Sequence, residues 1–230
     1  MPDHVHFIIH VADRLPLHLG RYMGRLKGRC SRAWWDSMGM EQGSPLFAEP
    51  WHDRIIMRPG QLETAQTYLL DNPRRLWIKL HNPDLFITRS QVEIMGEQQQ
   101  ILGNRFLLEH FDVSSVHISS KFTPEELHAR HLEWSRAVER DGILAGAFIS
   151  EAEKAVLNEA LARDARIILF MDHPFPPRYK PSGKWFDRCA SGRLLIVAPP
   201  APYLTSLRDT FLHLNRLADA LAAGQFRALP

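Results

Sequence analysis

The 230-residue sequence predicts two domains, the larger and C-terminal of them an α/β domain around a mostly parallel sheet. Three observations carry this. Beyond residue 90, short apolar runs at 113–118, 143–148, 166–171 and 194–198 alternate with helical stretches near 124–140, 151–163 and 205–222, the pattern of βαβ units. Before residue 90 the order is different: a strand-like run, a basic helix, a second strand-like run and a second helix. Between them, 74–100 has mixed polarity, with Asn82-Pro83 and the run Gln98-Gln99-Gln100, which places the domain boundary near 90 and gives domains 1–90 and 91–230.

Each element has its own warrant. Residues 4–11, His-Val-His-Phe-Ile-Ile-His-Val, alternate so that Val5, Phe7 and Ile9 share one strand face and His4, His6, Ile8 and His10 the other. Residues 17–35 have helical spacing, and Arg21, Arg25, Arg29 and Arg32 step by four, four and three along one stripe. A turn-rich stretch at 39–50 leads to a strand-like run at 51–57, broken by Arg58-Pro59-Gly60. A helix follows from Gln61, with Leu62, Ala65 and Leu69 at core spacing, and Pro73 is expected to stop it because a residue before proline is pushed out of the helical region.

Composition excludes several classes. Hydrophobic residues make up 45% and charged residues 23%, which is ordinary globular usage, and no apolar run reaches the roughly 18–20 residues of a membrane span. Met1-Pro2-Asp3-His4 does not read as a secretory signal, so a cytoplasmic, nucleoid-associated protein is expected. Cys30 and Cys189 lie far apart and form no CxxC, which fits reduced thiols and gives no zinc signature. A net charge of +2 does not point to nucleic acid, but the stretch from Arg14 to Trp35 holds Arg14, Arg21, Arg25, Lys27, Arg29 and Arg32 with no acid at all.

Two pairs of residues bear on chemistry. His4 and His6 lie on one face of a strand, where two imidazoles can grip one divalent metal or simply stand as surface histidines. Tyr68 and Asn72 lie one helical turn apart on one face, as site residues or as half-buried packing residues. The basic stripe reads as a solvated face or as a track for a DNA backbone, and the absence of compensating acid favours DNA. Trp34 and Trp35 read as base-stacking groups or as packing at the helix end.

Taken in order, Met-Pro-Asp-His-Val-His-Phe-Ile-Ile, then Tyr22-Met-Gly-Arg-Leu-Lys-Gly-Arg, then Trp51-His-Asp-Arg-Ile-Ile, then Tyr68-Leu-Leu-Asp-Asn-Pro-Arg resemble the single-tyrosine HUH transposases of small insertion sequences, above all the REP-associated tyrosine transposases. The resemblance covers roughly residues 1–85. It implies an α+β ferredoxin-like domain with Mg²⁺ or Mn²⁺ held by His4, His6 and Asn72, and Tyr68 as the nucleophile on a DNA phosphodiester. It also implies single-stranded or hairpin DNA as partner, contacts from Arg21, Arg25, Lys27, Arg29 and Arg32, and a homodimer. Asp53 matches a recurrent family position, where a strand-end salt bridge is an equal reading. In that family the strand bearing the histidine pair is interior to the sheet. Here His4 lies three residues from the first residue, so the domain is expected to be N-terminally incomplete: either a decayed form that has lost half its sheet or, favoured, a chain with an internal start and about 30–60 further residues of strand-helix-strand upstream in frame.

The second half is loosely similar, over roughly 100–200, to the Rossmann-like three-layer domain of DNA-processing protein A and the lysine-decarboxylase-like group. The segments are Gly142-Ile-Leu-Ala-Gly-Ala-Phe-Ile-Ser150, Ile167-Ile-Leu-Phe-Met, Phe175-Pro-Pro-Arg-Tyr-Lys-Pro-Ser-Gly-Lys and Gly192-Arg-Leu-Leu-Ile. The glycine-rich phosphate loop of those relatives is absent. Ser150 reads as an anion-capturing helix start or as a plain N-cap. Arg178, Lys180 and Lys184 read as phosphate contacts or as solvated charges. The expected activity is metal-dependent DNA nicking and joining through a phosphotyrosine, with the second domain assisting. The rivals are a non-catalytic DNA-hairpin-binding module and a nucleotide-binding enzyme centred on the second domain.

Overall fold

The computed structural model describes residues 5–41, 43–47, 54–119 and 121–228. The chain divides into two compact units, Met1–Leu76 and Trp77–Pro230. Residues 77–90, grouped with the N-terminal domain on sequence, lie in the second unit.

The first unit carries α1 (Leu19–Ser37) and most of α2 (Gln61–His81). The inner stripe of α1 is Met23, Lys27, Ser31 and Trp35, spaced by four, of which Met23 and Ser31 are buried. The following loop folds back on that stripe: the Leu46 amide donates to Ser31 Oγ at 3.1 Å, and Trp35 Nε1 donates to the Ser44 carbonyl at 3.1 Å. The first turn of α2 is set by Gln61, whose carboxamide oxygen accepts from the amides of Met57 and Arg58, both at 2.9 Å.

Two expectations fail here. Helix α2 does not stop at Pro73 but runs on to His81. Proline deletes one intrahelical donor, yet the Asp71 carboxylate spans the gap by pairing with Arg74 (2.5 Å) and Arg75 (3.5 Å), and Arg74–Leu80 is rich in good helix formers. Nor do the described residues of the two strand-like runs, 5–11 and 54–57, enter any sheet. Alternation assigns side chains to two faces, but an extended segment becomes a strand only when a neighbour takes up its N–H and C=O groups. Val5 is 63% exposed and Met57 81% exposed as a result. His4 and residues 51–53, including Asp53, lie outside the described residues.

The second unit is an α/β domain. Its seven strands are β1 (Arg89–Ile94), β2 (Glu97–Gly103), β3 (Val113–Ser115), β4 (Ile143–Gly146), β5 (Arg166–Phe170), β6 (Leu194–Ala198) and β7 (Phe226–Ala228), in the order β3-β4-β5-β6-β2-β1-β7. The sheet is mixed rather than mostly parallel: β3 to β6 are parallel, while β6·β2, β2·β1 and β1·β7 are antiparallel. Helices α3 (Pro124–Glu139), α4 (Glu151–Ala162) and α5 (Lys184–Ala190) join the parallel strands one after another. They bury Trp134, Ala137, Val156, Leu157, Ala160 and Cys189 against the face that carries Leu144, Ile167, Leu194 and Ile196. Helix α6 (Leu207–Ala222) covers the opposite face with Leu214, Leu217 and Leu221 against Ile143, Ile168, Leu195 and Val197. The outcome is three layers with strands buried on both sides, which is why β4, β5 and β6 read as near-continuous apolar runs.

Helix ends sharpen these boundaries. Thr123 and Ser150 each close a capping box with a glutamate three residues on, and Ser206 caps α6. Helices α3 and α4 end in residues with positive φ, Asp141 (58°) and Asp164 (56°), and the next amides, of Gly142 and Ala165, reach back to Ala137 and Ala160 at 2.8 and 2.9 Å. Those aspartates then tie neighbouring strands together. Asp141 pairs with Arg166 and with Arg193 (3.0 Å), and Asp164 pairs with Arg188 and with Arg193 (2.9 Å). The Arg193 hydrogen bond holds the Asp141 carboxyl below its ordinary pKa.

Both cysteines are free. Cys189, on the inner face of α5, is fully buried, and burial pushes its thiol up to about 12. An alkylating reagent at about pH 8 is therefore expected to modify half-buried Cys30 in the folded chain and Cys189 only after denaturation, read by intact mass. Equal labelling of the two in the native state would contradict the burial.

Candidate functional site

Helix α2 positions two of the motif residues. Its inner stripe is Gln61, Ala65, Leu69, Asn72 and Leu76, and Tyr68 sits on the shoulder of that stripe, 45% exposed. Asn72 is the one residue of α2 that is buried, at 7% exposure, and its carboxamide makes no hydrogen bond among the described residues. An amide with no protein hydrogen bond keeps its capacity to accept and donate.

His6 is brought to the same place from 62 positions earlier in the chain. Its ring meets that of Tyr68 edge to face, with centroids 5.7 Å apart and planes at 88°. An imidazole and a half-exposed tyrosine ring therefore meet in the first unit, with a buried asparagine one helical turn further along α2. No three His, Cys, Asp or Glu side chains converge among the described residues. The metal-binding chemistry at hand is mixed: one imidazole and one amide oxygen, with His4 outside the described residues. The amide oxygen is a donor of the kind Mg²⁺ and Mn²⁺ take, whereas imidazole suits softer divalent ions as well.

The basic stripe is real as a surface. Arg21, Arg25, Arg29 and Arg32 are all exposed along α1, and Trp34, also exposed, lies on a different side of the helix. Lys27 does not belong to it: it is half-buried on the packed stripe between Met23 and Ser31. Trp35 is packed through its Ser44 hydrogen bond, which leaves Trp34 as the indole that faces solvent.

In the second unit, the helix start at Ser150 is a cap and not an anion site. The turn from β4 into α4 places Phe148 at φ 50°, and the amides of Ile149 and Ser150 converge on Glu153 Oε2 at 2.8 and 3.0 Å. Glu153 Oε1 accepts a third amide, that of Ile118 from the loop after β3, at 2.8 Å. A phosphate bound at a first βα turn would need those same amides, so the chain's own buried carboxylate occupies that position. The Ser150-x-x-Glu153 spacing carried the capping-box signal, whereas the reach of Glu153 to Ile118 depends on two loops meeting in space.

Arg178 and Lys180 are exposed in the loop between β5 and α5, and Lys184 Nζ lies over the Trp185 ring, 5.0 Å from its centroid. No family model matches the chain, and no curated protein or solved structure matches it either.

Proposed function

We propose that the first unit is a tyrosine-dependent DNA nicking and joining domain of the HUH transposase type. The observation that supports it is the edge-to-face contact of His6 with Tyr68, which joins residues far apart in the chain, with Asn72 one helical turn from Tyr68; the family resemblance picked out all three.

The chemistry follows from the residue types. Tyr68 is 45% exposed, so its ring is reachable from solvent, as attack on a phosphodiester requires. The phenol oxygen forms the new P–O bond and gives up its proton, and the bond to the 3′ oxygen breaks and frees a 3′-hydroxyl. The phosphotyrosine keeps the bond energy, so rejoining needs no nucleotide triphosphate. His4, His6 and Asn72 would hold Mg²⁺ or Mn²⁺, which supplies charge stabilisation at the phosphoryl oxygens. The His6 edge against the Tyr68 ring restricts where the phenol can point.

Backbone contact falls to Arg21, Arg25, Arg29 and Arg32. Neutralising Arg25 and Arg29 together is expected to weaken binding to single strands of any sequence and to flatten the slope of log K against log salt by roughly 0.7 for each phosphate no longer neutralised. A slope unchanged from the parent returns the stripe to a solvated helix face. A second reading, a DNA-hairpin-binding module without catalysis, is favoured by one observation: His6 lies on a segment that joins no strand ladder among the described residues, and an imidazole on an unsupported segment binds metal weakly because its ordering must be offset. Metal-dependent adduct formation with a hairpin-bearing oligonucleotide separates the two readings.

A further inference from the structure

The two ends of the sheet in the second unit each carry a feature that no part of the proposed chemistry uses, and the two match. At the carboxyl ends of the parallel strands lies an open groove of about 440 Å³. Gln100 on its floor pairs with Ala198, the last residue of β6. One wall is Phe86, whose ring stacks on the fully buried ring of Phe186 at 4.8 Å. The other is the loop after β5, where Phe175 and Tyr179 stack with ring centroids 5.0 Å apart at 20°. Arg178 and Lys180 stand exposed at the rim, neither has an ion-pair partner among the described residues, and no acid lines the groove. Arg178 is the third residue of a turn closed by the Tyr179 amide on the Pro176 carbonyl at 2.9 Å. Its φ of 59° suits glycine at that position, so the chain bears a cost to hold an arginine at the rim.

At the opposite end, residues 105–112 run from β2 to β3 and present Phe111, 96% exposed, and Phe106, 60% exposed. The Phe111 ring is held in place. It lies parallel to the ring of His110 (centroids 5.1 Å apart, planes at 9°), His110 Nδ1 accepts from the Asp112 amide at 3.2 Å, and the Asp112 carboxylate accepts from Arg140 at 3.1 and 3.3 Å. A knob fixed before it binds lowers the ordering cost of association. Glu109, exposed two residues before Phe111, has no ion-pair partner among the described residues.

A rigid aromatic knob with a carboxylate at its side complements an aromatic-walled groove with two cations at its rim. A cavity of about 150 Å³ holds one benzene ring, so the groove has room for the stacked rings of Phe111 and His110. Knob and groove lie at opposite ends of the β2–β6 ladder, where Gly103 pairs with Leu195 and Gln100 with Ala198, and so do not meet within one chain. We propose that the occupant is a second copy of this chain: the Phe111 knob of one molecule seats in the groove of the next, with Glu109 against Arg178 and Lys180. The contact joins two different surfaces, so it repeats from copy to copy. A closed homodimer, of the kind the family resemblance implies, uses one surface twice and is therefore distinguishable from it.

Sedimentation velocity of the full chain, free of nucleic acid and over a concentration series, is the test. The parent is expected to grow beyond a dimer as concentration rises. Phe111→Ser removes the knob, and Arg178→Glu with Lys180→Glu reverses the rim charge; each is expected to weaken association about thirtyfold or more, the loss that one hot spot gives. Mixed together, these two variants are expected to form a one-to-one dimer and nothing larger, because one supplies the only intact groove and the other the only intact knob. Glu109→Arg placed in the charge-reversed chain is expected to restore growth. All the substituted side chains are exposed, and the Tm of each variant is expected to match the parent. A parent that stays monomeric throughout overturns the proposal. So do variants that each associate as far as the parent, which would mark a closed dimer, and a mixture that forms no new species.

Discussion

Tyr68→Phe is expected to abolish the covalent protein–DNA adduct while leaving the affinity for a hairpin-bearing strand nearly unchanged. The substitution removes one oxygen from a ring whose edge-to-face contact with His6 remains available, so packing and binding are largely kept. Without the attacking atom the step itself is gone, and falls on the order of 10⁴-fold or more in rate accompany removal of a nucleophile. A denaturing gel with labelled oligonucleotide and Mn²⁺ reads the result. Adduct at the parental level in Tyr68→Phe would sink the assignment. Asn72→Ala supplies the companion measurement: if the buried carboxamide is a metal ligand, the variant needs a higher metal concentration for the same adduct, whereas a packing role predicts reduced stability with no change in metal dependence.

The largest effect on stability is expected at Glu153. Its carboxylate is 5% exposed and accepts from three backbone amides, those of Ile118, Ile149 and Ser150. Glu153→Ala would leave those donors without a partner at the turn where Phe148 is already held at φ 50°. A charged hydrogen-bonded group removed from such a site costs about 3 kcal/mol, which corresponds to a fall in Tm of roughly 6–12 °C for a unit of this size. Glu153→Gln keeps acceptor capacity on one oxygen only and is expected to fall between the parent and Glu153→Ala. Urea denaturation of the two variants checks the order, and a Glu153→Ala protein as stable as the parent would show that the three amides are satisfied another way.

The α/β part of the chain was legible because both periods are strong there. The apolar runs at 113–118, 143–148, 166–171 and 194–198 contain β3, β4, β5 and β6, and the helical stretches coincide with α3, α4 and α6. Burial on both faces makes such strands apolar throughout, and polar caps at Thr123, Ser150 and Ser206 mark where helices begin. The hairpin of β1 and β2 was not legible. Its turn is Met95-Gly96, both with positive φ, and methionine is not a residue that announces that conformation. The glutamine run that helped place the domain boundary is part of β2, with Gln99 buried, because a strand's polarity reflects what covers each face and not the strand itself.

In the first unit the sequence by itself determined two helices, the stripe of arginines on α1 and the single turn that separates Tyr68 from Asn72. Those are local properties, set by spacing along one chain segment. Whether Pro73 ends a helix, whether 5–11 becomes a strand and whether His6 meets Tyr68 are decided by side chains and neighbours that spacing does not specify: Asp71 and its arginines across the proline, a neighbouring ladder, and the packing that carries residue 6 to residue 68. The same division holds in the second unit, where a capping-box spacing told of a helix start but only tertiary structure sent the Glu153 carboxylate to Ile118. Periodicity fixes which face a side chain occupies, and hydrogen-bond and packing partners from elsewhere in the chain decide what that face then does.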